Sequence, residues 1–323
     1  MLRLLAVLTV LLLAVPAARA DCGGVDLSAD PAIKPDWSAH ADEMLNGDGL
    51  LWRIDKPGLT PSYLYGTMHS TQPGPMRLAQ EAAPYAETAS AVATELGAFD
   101  SNQKIEVGSK LLREAMTPDA DSFAGLIEGE DAAQVEAMLA AKGTAPEMAH
   151  HLKLWMLAVT ASLPQCEIEG QLTGLAEVDE SFARIAQAHQ IPIVGLESVD
   201  EQLKVIGSIS PTLAARQLTS MARGGAYADG GYATLLSLYM QKRPTAALAV
   251  LDAAPGLSAV DREATAELTR KLLADRNDTM ADRAAPLLAK GGAFIAVGAL
   301  HLSGPRGLIA LFRQRGFAVT KVW

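Results

Sequence analysis

Two seven-residue segments near opposite ends of the 323-residue chain share one pattern. Tyr63-Leu64-Tyr65-Gly66-Thr67-Met68-His69 and Ile295-Ala296-Val297-Gly298-Ala299-Leu300-His301 each place an apolar run, a glycine, two further residues and a histidine in the same order. A short apolar run between turn signals reads as a buried strand. A glycine at its end lets the backbone bend, or approach a neighbour where a side chain would clash. The histidine then projects from the carboxyl end of the strand, the edge at which open α/β sheets bind ligands. One such element arises by chance. Two in one chain point to a common sheet whose histidines meet in one pocket.

The rest of the pattern supplies that sheet. Leu51 to Ile54 and Ser62 to Tyr65 flank Lys56-Pro57-Gly58 and predict a hairpin. Ala91 to Leu96, Ile191 to Leu196, Ala293 to Val297 and Phe317 to Val322 read as further strands. Helical patterns follow His69 to about residue 89, and occupy Ala176 to Gln190 and Gly307 to Arg315. The strand–helix–strand alternation at both ends predicts an α/β fold with a mainly parallel sheet. Residues 102–163 and 199–289 carry helical spacing too long for crossovers, and are expected to form helical insertions that cap the sheet edge. Residues 21–48 read as an arm held by contacts, within a single domain spanning 21–323. Composition agrees, with 49% apolar residues and only 5% aromatics, a balance that favours helices and buried strands over a β-sandwich.

The first twenty residues carry a basic start, an apolar run from Leu4 to Val15, and Ala18-Arg19-Ala20. This is the plan of a secretory signal peptide cleaved after Ala20, which places the mature protein in the periplasm or outside the cell. No later stretch approaches the roughly 20 apolar residues of a membrane span. Cys22 and Cys166 remain, and in an oxidising compartment such a pair predicts a disulfide. The net charge is −10, and grows more negative once Arg3 and Arg19 leave with the leader. That argues against nucleic acid and anionic membranes as partners.

The chemistry is expected at the strand ends. The strand from Ala91 delivers Glu95 and the strand from Ile191 delivers Glu197. If the strands are parallel, these carboxylates join His69 and His301 on one edge. Two imidazoles and a carboxylate can hold Mn²⁺, Co²⁺ or Zn²⁺, and the ligand set does not choose among them. A Glu–His pair without metal can equally act as general base. Glu197 has a second reading, because Ser198 and Glu201 after it form a helix-capping pair. Asp179 lies on an amphipathic helix, where an acid on the solvated face is the default. Arg276 sits late in a long helical segment, and aimed at the edge it would bind a carboxylate or oxyanion. His40, His150, His151 and His189 lack any such frame.

With these residues the chain resembles the TraB/PrgY/GumN family over nearly all of its mature length. The resemblance rests on Leu51-Trp52-Arg53-Ile54, Tyr65-Gly66-Thr67-Met68-His69, Glu95, Asp179, Gly195-Leu196-Glu197 with Glu201-Gln202, Arg276-Asn277 and Val297-Gly298-Ala299-Leu300-His301. It implies kinship with the Tiki metalloproteases and with erythromycin-esterase-like folds. Carried to this chain, it implies a metal and catalytic centre of His69, Glu95 and His301, with Arg276 as a substrate or transition-state contact. The expected function is a metal-dependent, peptidase-like hydrolase of the bacterial envelope, acting on a peptide or small amide or ester. A metal-free Glu/His hydrolase and a protein that sequesters peptides without turnover stand beside it.

Overall fold

The computed structural model describes residues 22–116, 123, 125–224, 226–255 and 257–323. The expected signal peptide lies outside the described residues. Six strands form one sheet in the order β4-β3-β5-β2-β1-β6. They are β1 (Leu51–Asp55), β2 (Ser62–Thr67), β3 (Ala91–Thr94), β4 (Ile193–Gly195), β5 (Ala293–Gly298) and β6 (Ala318–Lys321). β4, β3, β5 and β2 pair in parallel, and β1 pairs antiparallel with both β2 and β6. β6 therefore runs in the direction of the four parallel strands, and β1 alone runs against them. The helix Leu308–Gln314 carries the chain from β5 past β2 and β1 to the far edge, so the last two strands are not neighbours.

Alternation along each strand divides the core between two faces. Leu64, Ala93, Ile295 and Val297 join one cluster with Met280, Ala284, Leu308 and Phe312. Tyr65, Val92, Phe294 and Ala296 join the opposite cluster with Leu78, Ala82, Val178 and Phe182. The helices Ala274–Lys290 and Leu308–Gln314 thus cover one face, and Pro73–Glu87 and Val178–Ala188 the other. Each helix turns its apolar stripe inward; Val178, Phe182, Ala183 and Ala186 repeat at helical spacing and are all buried. Tyr65, Phe182 and Phe294 pack ring on ring, with centroids 4.9 to 6.4 Å apart.

The helical segments build a core of their own. Leu139, Leu154, Leu157, Leu213 and Leu218 are buried together, drawn from both stretches that the sequence marks as helical. The N-terminal arm is pinned where Leu27 and Ile33 bury against Leu238 and Val250. The expected disulfide between Cys22 and Cys166 is present.

Gly66 meets the need inferred from its motif. A Cβ there would lie 2.9 Å from the Cα and Cβ of Ala299, on the chain just beyond β5. Gly66→Ala is expected to cost about 1–3 kcal/mol by forcing those segments apart, read as a lower midpoint in urea unfolding.

Candidate active site

β2 and β5 are neighbours and parallel, with Thr67 opposite Gly298. Both Gly-x-x-His segments therefore leave the sheet at the same edge. β3 lies on the other side of β5, and beyond its end the Glu197 N–H donates to the Glu95 carbonyl at 2.8 Å. His69, Glu95, Arg276 and His301 line one cavity of about 1390 Å³, walled on its far side by the cap helix Gly129–Ala141 and by Leu163 and Pro164.

His301 is 3% exposed. Asn277 fixes its tautomer. The Asn277 Nδ2 donates to the carbonyls of His301 and Arg306, so its Oδ1 is the atom 2.7 Å from His301 Nδ1 and accepts from it. Nε2 is left with a lone pair, 3.8 Å from Glu95 Oε1. Burial, aided by Arg276 and His69, pushes the imidazole down to about 4 against the pull of Glu95 and Glu197. The ring is neutral at pH 7, so its approach to Glu95 is not an ion pair.

Glu95 is ionised beside it. Burial is the largest single influence and opposes the charge, but His301, which is protonated at the low pH where Glu95 titrates, together with His69, Arg276 and the Gly298 N–H brings the carboxyl down to about 2. That N–H donates to Oε1 at 2.9 Å, and Arg276 Nη2 donates to Oε2 at 2.6 Å. Glu197, also buried, accepts from Arg276 Nε and Nη2. Gln202 Nε2 bridges the two carboxylates at 3.2 and 3.3 Å. Arg276 Nη1 donates to the Leu272 carbonyl. The guanidinium is thus spent on protein groups, and its role in this geometry is to hold the Glu95 and Glu197 side chains in place and to keep Glu95 charged. Ser198 and Glu201 do form the capping box read in the sequence, while Glu197 just before it turns inward.

His69 faces a different pair of acids. Its ring is 64% exposed, open to the cavity. Nδ1 lies 3.4 Å from Glu177 Oε2 and 3.2 Å from Asp179 Oδ2. The charge of Asp179, foremost, raises the imidazole well above its ordinary 6.5, although the protein around the cavity opposes this. Asp179 is therefore not the solvated-face acid that its helix position suggested. Its Oδ1 accepts from the hydroxyl of Thr67, inside the first motif. Its Oδ2 is enclosed and accepts no hydrogen bond, since the nearby His69 nitrogen is not aligned for one. Glu177 escaped the sequence reading altogether. The signal was Glu177-x-Asp179 at the start of Val178–Ala188, where the helix N-terminus favours negative charge.

The segment after His69 is fastened by another unforeseen residue. Glu167 is fully buried and accepts from Ser70 Oγ at 2.8 Å, from the Thr71 N–H and hydroxyl at 2.7 Å each, and from the Tyr232 hydroxyl. It adjoins the disulfide at Cys166, so one helix turn is tied to the N-terminal arm by the bridge and to the loop after His69 by the carboxylate. Glu167→Ala is expected to cost about 3 kcal/mol, because several buried donors lose their acceptor, as measured by urea unfolding.

The TraB/PrgY/gumN family model matches residues 50–321. The chain belongs to this family. No curated protein and no solved structure matches it. The matched span holds both motifs, Glu95, Glu197 and Arg276, so in this TraB/PrgY/gumN protein the family's length takes in the whole sheet.

The metal that the resemblance implies can be tested against the donors. His301 Nε2 and Glu95 Oε1 are suited to a cation, but as a set His69, Glu95 and His301 do not bring their donors within 4.8 Å of one another. Among the described residues, His69, Glu177 and Asp179 do. The orphaned Asp179 Oδ2 and this imidazole–carboxylate chemistry fit a divalent ion. His69 is common to both donor sets.

Proposed function

We propose that this protein is a metal-dependent, peptidase-like hydrolase of the bacterial envelope. What carries the reading is that both motif histidines and the ionised Glu95 line one cavity at the carboxyl edge of the sheet. A divalent ion (Mn²⁺, Co²⁺ or Zn²⁺) would supply a Lewis acid for a carbonyl and lower the pKa of a bound water. His69 would hold it, with Glu95 and His301 or Glu177 and Asp179 as the remaining donors. Glu95, fixed by Arg276 and the Gly298 N–H, is placed to accept a proton, and neutral His301 offers Nε2 beside it. The volume and its mixed walls admit a peptide or a small amide or ester. The leader-like N-terminus supports export, as does the disulfide, and among the described residues no helix is long and apolar enough to cross a membrane.

The test is a peptide library incubated with mature protein, with and without each metal, and read by mass spectrometry. Metal-stimulated cleavage is the expected result. Cleavage that survives exhaustive chelation would replace it with metal-free Glu/His catalysis. Peptide retained but intact after long incubation would replace it with sequestration.

A further inference from the structure

Two pairs of carboxylates stand beside the cavity's histidines, and they differ in how their charge is met. Glu95 and Glu197 share the Arg276 guanidinium. Glu177 and Asp179 form no salt bridge with lysine or arginine among the described residues; the Gln171 amide donates to Glu177, and the His69 ring lies against both acids. We propose that a divalent metal ion binds at His69 Nδ1, Glu177 and Asp179, and not between the two motif histidines.

Four observations converge on this. The three donors are the set whose atoms already cluster. Ligands at about 2.1 Å from one ion stand roughly 3 to 3.5 Å apart, and the His69 nitrogen lies 3.2 and 3.4 Å from the two carboxylates. Asp179 presents an enclosed oxygen with no hydrogen-bond donor, while its other oxygen is oriented by Thr67. That is the arrangement by which neighbouring groups aim metal ligands. The Gly66-Thr67-Met68-His69 segment thus contributes a ligand and the residue that orients another. His301, locked by Asn277 with Nε2 free, and Glu95 line the same cavity as His69 and remain for proton handling. The inference rests on the hydrolase reading for what the ion does, but not for where it sits.

Co²⁺ titration of the mature protein, followed by calorimetry and by visible absorption, tests it. Wild type is expected to bind one ion. Asp179→Asn and Glu177→Gln should each weaken binding at least about tenfold, whereas His301→Asn and Glu95→Gln should stay within about threefold of wild type. Circular dichroism checks that each variant is folded, and Glu177→Gln, altering a partly exposed side chain, guards against misfolding of Asp179→Asn. Loss of binding in His301→Asn equal to that in Asp179→Asn would overturn the assignment, as would wild type that binds no ion. Peptide cleavage with metal binding that follows His301 would defeat only this ligand set. Binding that follows Asp179 without any cleavage would support the set and defeat the hydrolase reading.

Discussion

Glu95→Gln is expected to lower peptide turnover by about 10²- to 10⁴-fold, the range that a positioned acid or base contributes, while leaving the chain folded. The amide retains the shape of the carboxyl but has a single acceptor oxygen, so it keeps the hydrogen bond from Gly298 or the one from Arg276, not both. What it loses is the negative charge, held at about 2 in the wild type, and with it the capacity to take a proton beside His301. Comparing kcat and KM on a peptide recovered from the library separates the outcomes. A fall confined to kcat is expected; turnover within threefold of wild type would remove Glu95 from the chemistry.

The second large effect concerns Arg276, whose removal leaves two buried carboxylates together. Arg276→Gln is expected to cost about 3–5 kcal/mol at pH 7, the usual consequence of breaking a buried pair from one side. The pH dependence should also change sign. In the wild type, Glu95 sits near 2 against an ordinary 4.5, so its stabilisation is present above 4.5 and is lost as pH falls through 2. His301 sits near 4 against 6.5, so its neutral burial favours folding at neutral pH and is lost as pH falls from 6.5 towards 4. Both make acid destabilising. Without the guanidinium, Glu95 and Glu197 face each other uncompensated, and one carboxyl rises above its unfolded value. Stability is then gained as pH falls through that raised value. Urea unfolding at pH 7 and pH 5, with chelator present, should show wild type weaker at pH 5 and the variant's deficit smaller there. Parallel losses in both proteins would show that Arg276 does not govern these charges.

Much of this architecture was legible because it is written locally. A strand needs only a short apolar run, so β2, β3, β4 and β5 could be placed within a few residues. Glu95, Glu197, His69 and His301 could be named as strand-end groups for the same reason. Two cysteines have one intramolecular pairing, and Cys22–Cys166 forms. The capping box at Ser198 is likewise a three-residue affair.

Residues whose role depends on distant partners were not readable. Glu167 looks like any helical glutamate until the loop after β2 lies against it, about a hundred positions away in the chain. Asp179 reads as a solvated acid because helix periodicity does not reveal that Thr67 and His69 stand above the first turn of its helix. Arg276 was visible as a candidate, but only the packing of Ala274–Lys290 against β5 turned its guanidinium onto the carboxylates and away from an open substrate surface. The placement of β6 on the far side of β1 was also decided in three dimensions, since a connecting helix fixes strand direction more firmly than strand neighbour. The chain by itself determined which groups would reach the sheet edge, because strand length and glycine spacing act within a few residues. Tertiary packing decided how their charges are shared, because buried ion pairs and hydrogen bonds form between whichever side chains the layers bring within 3 to 4 Å.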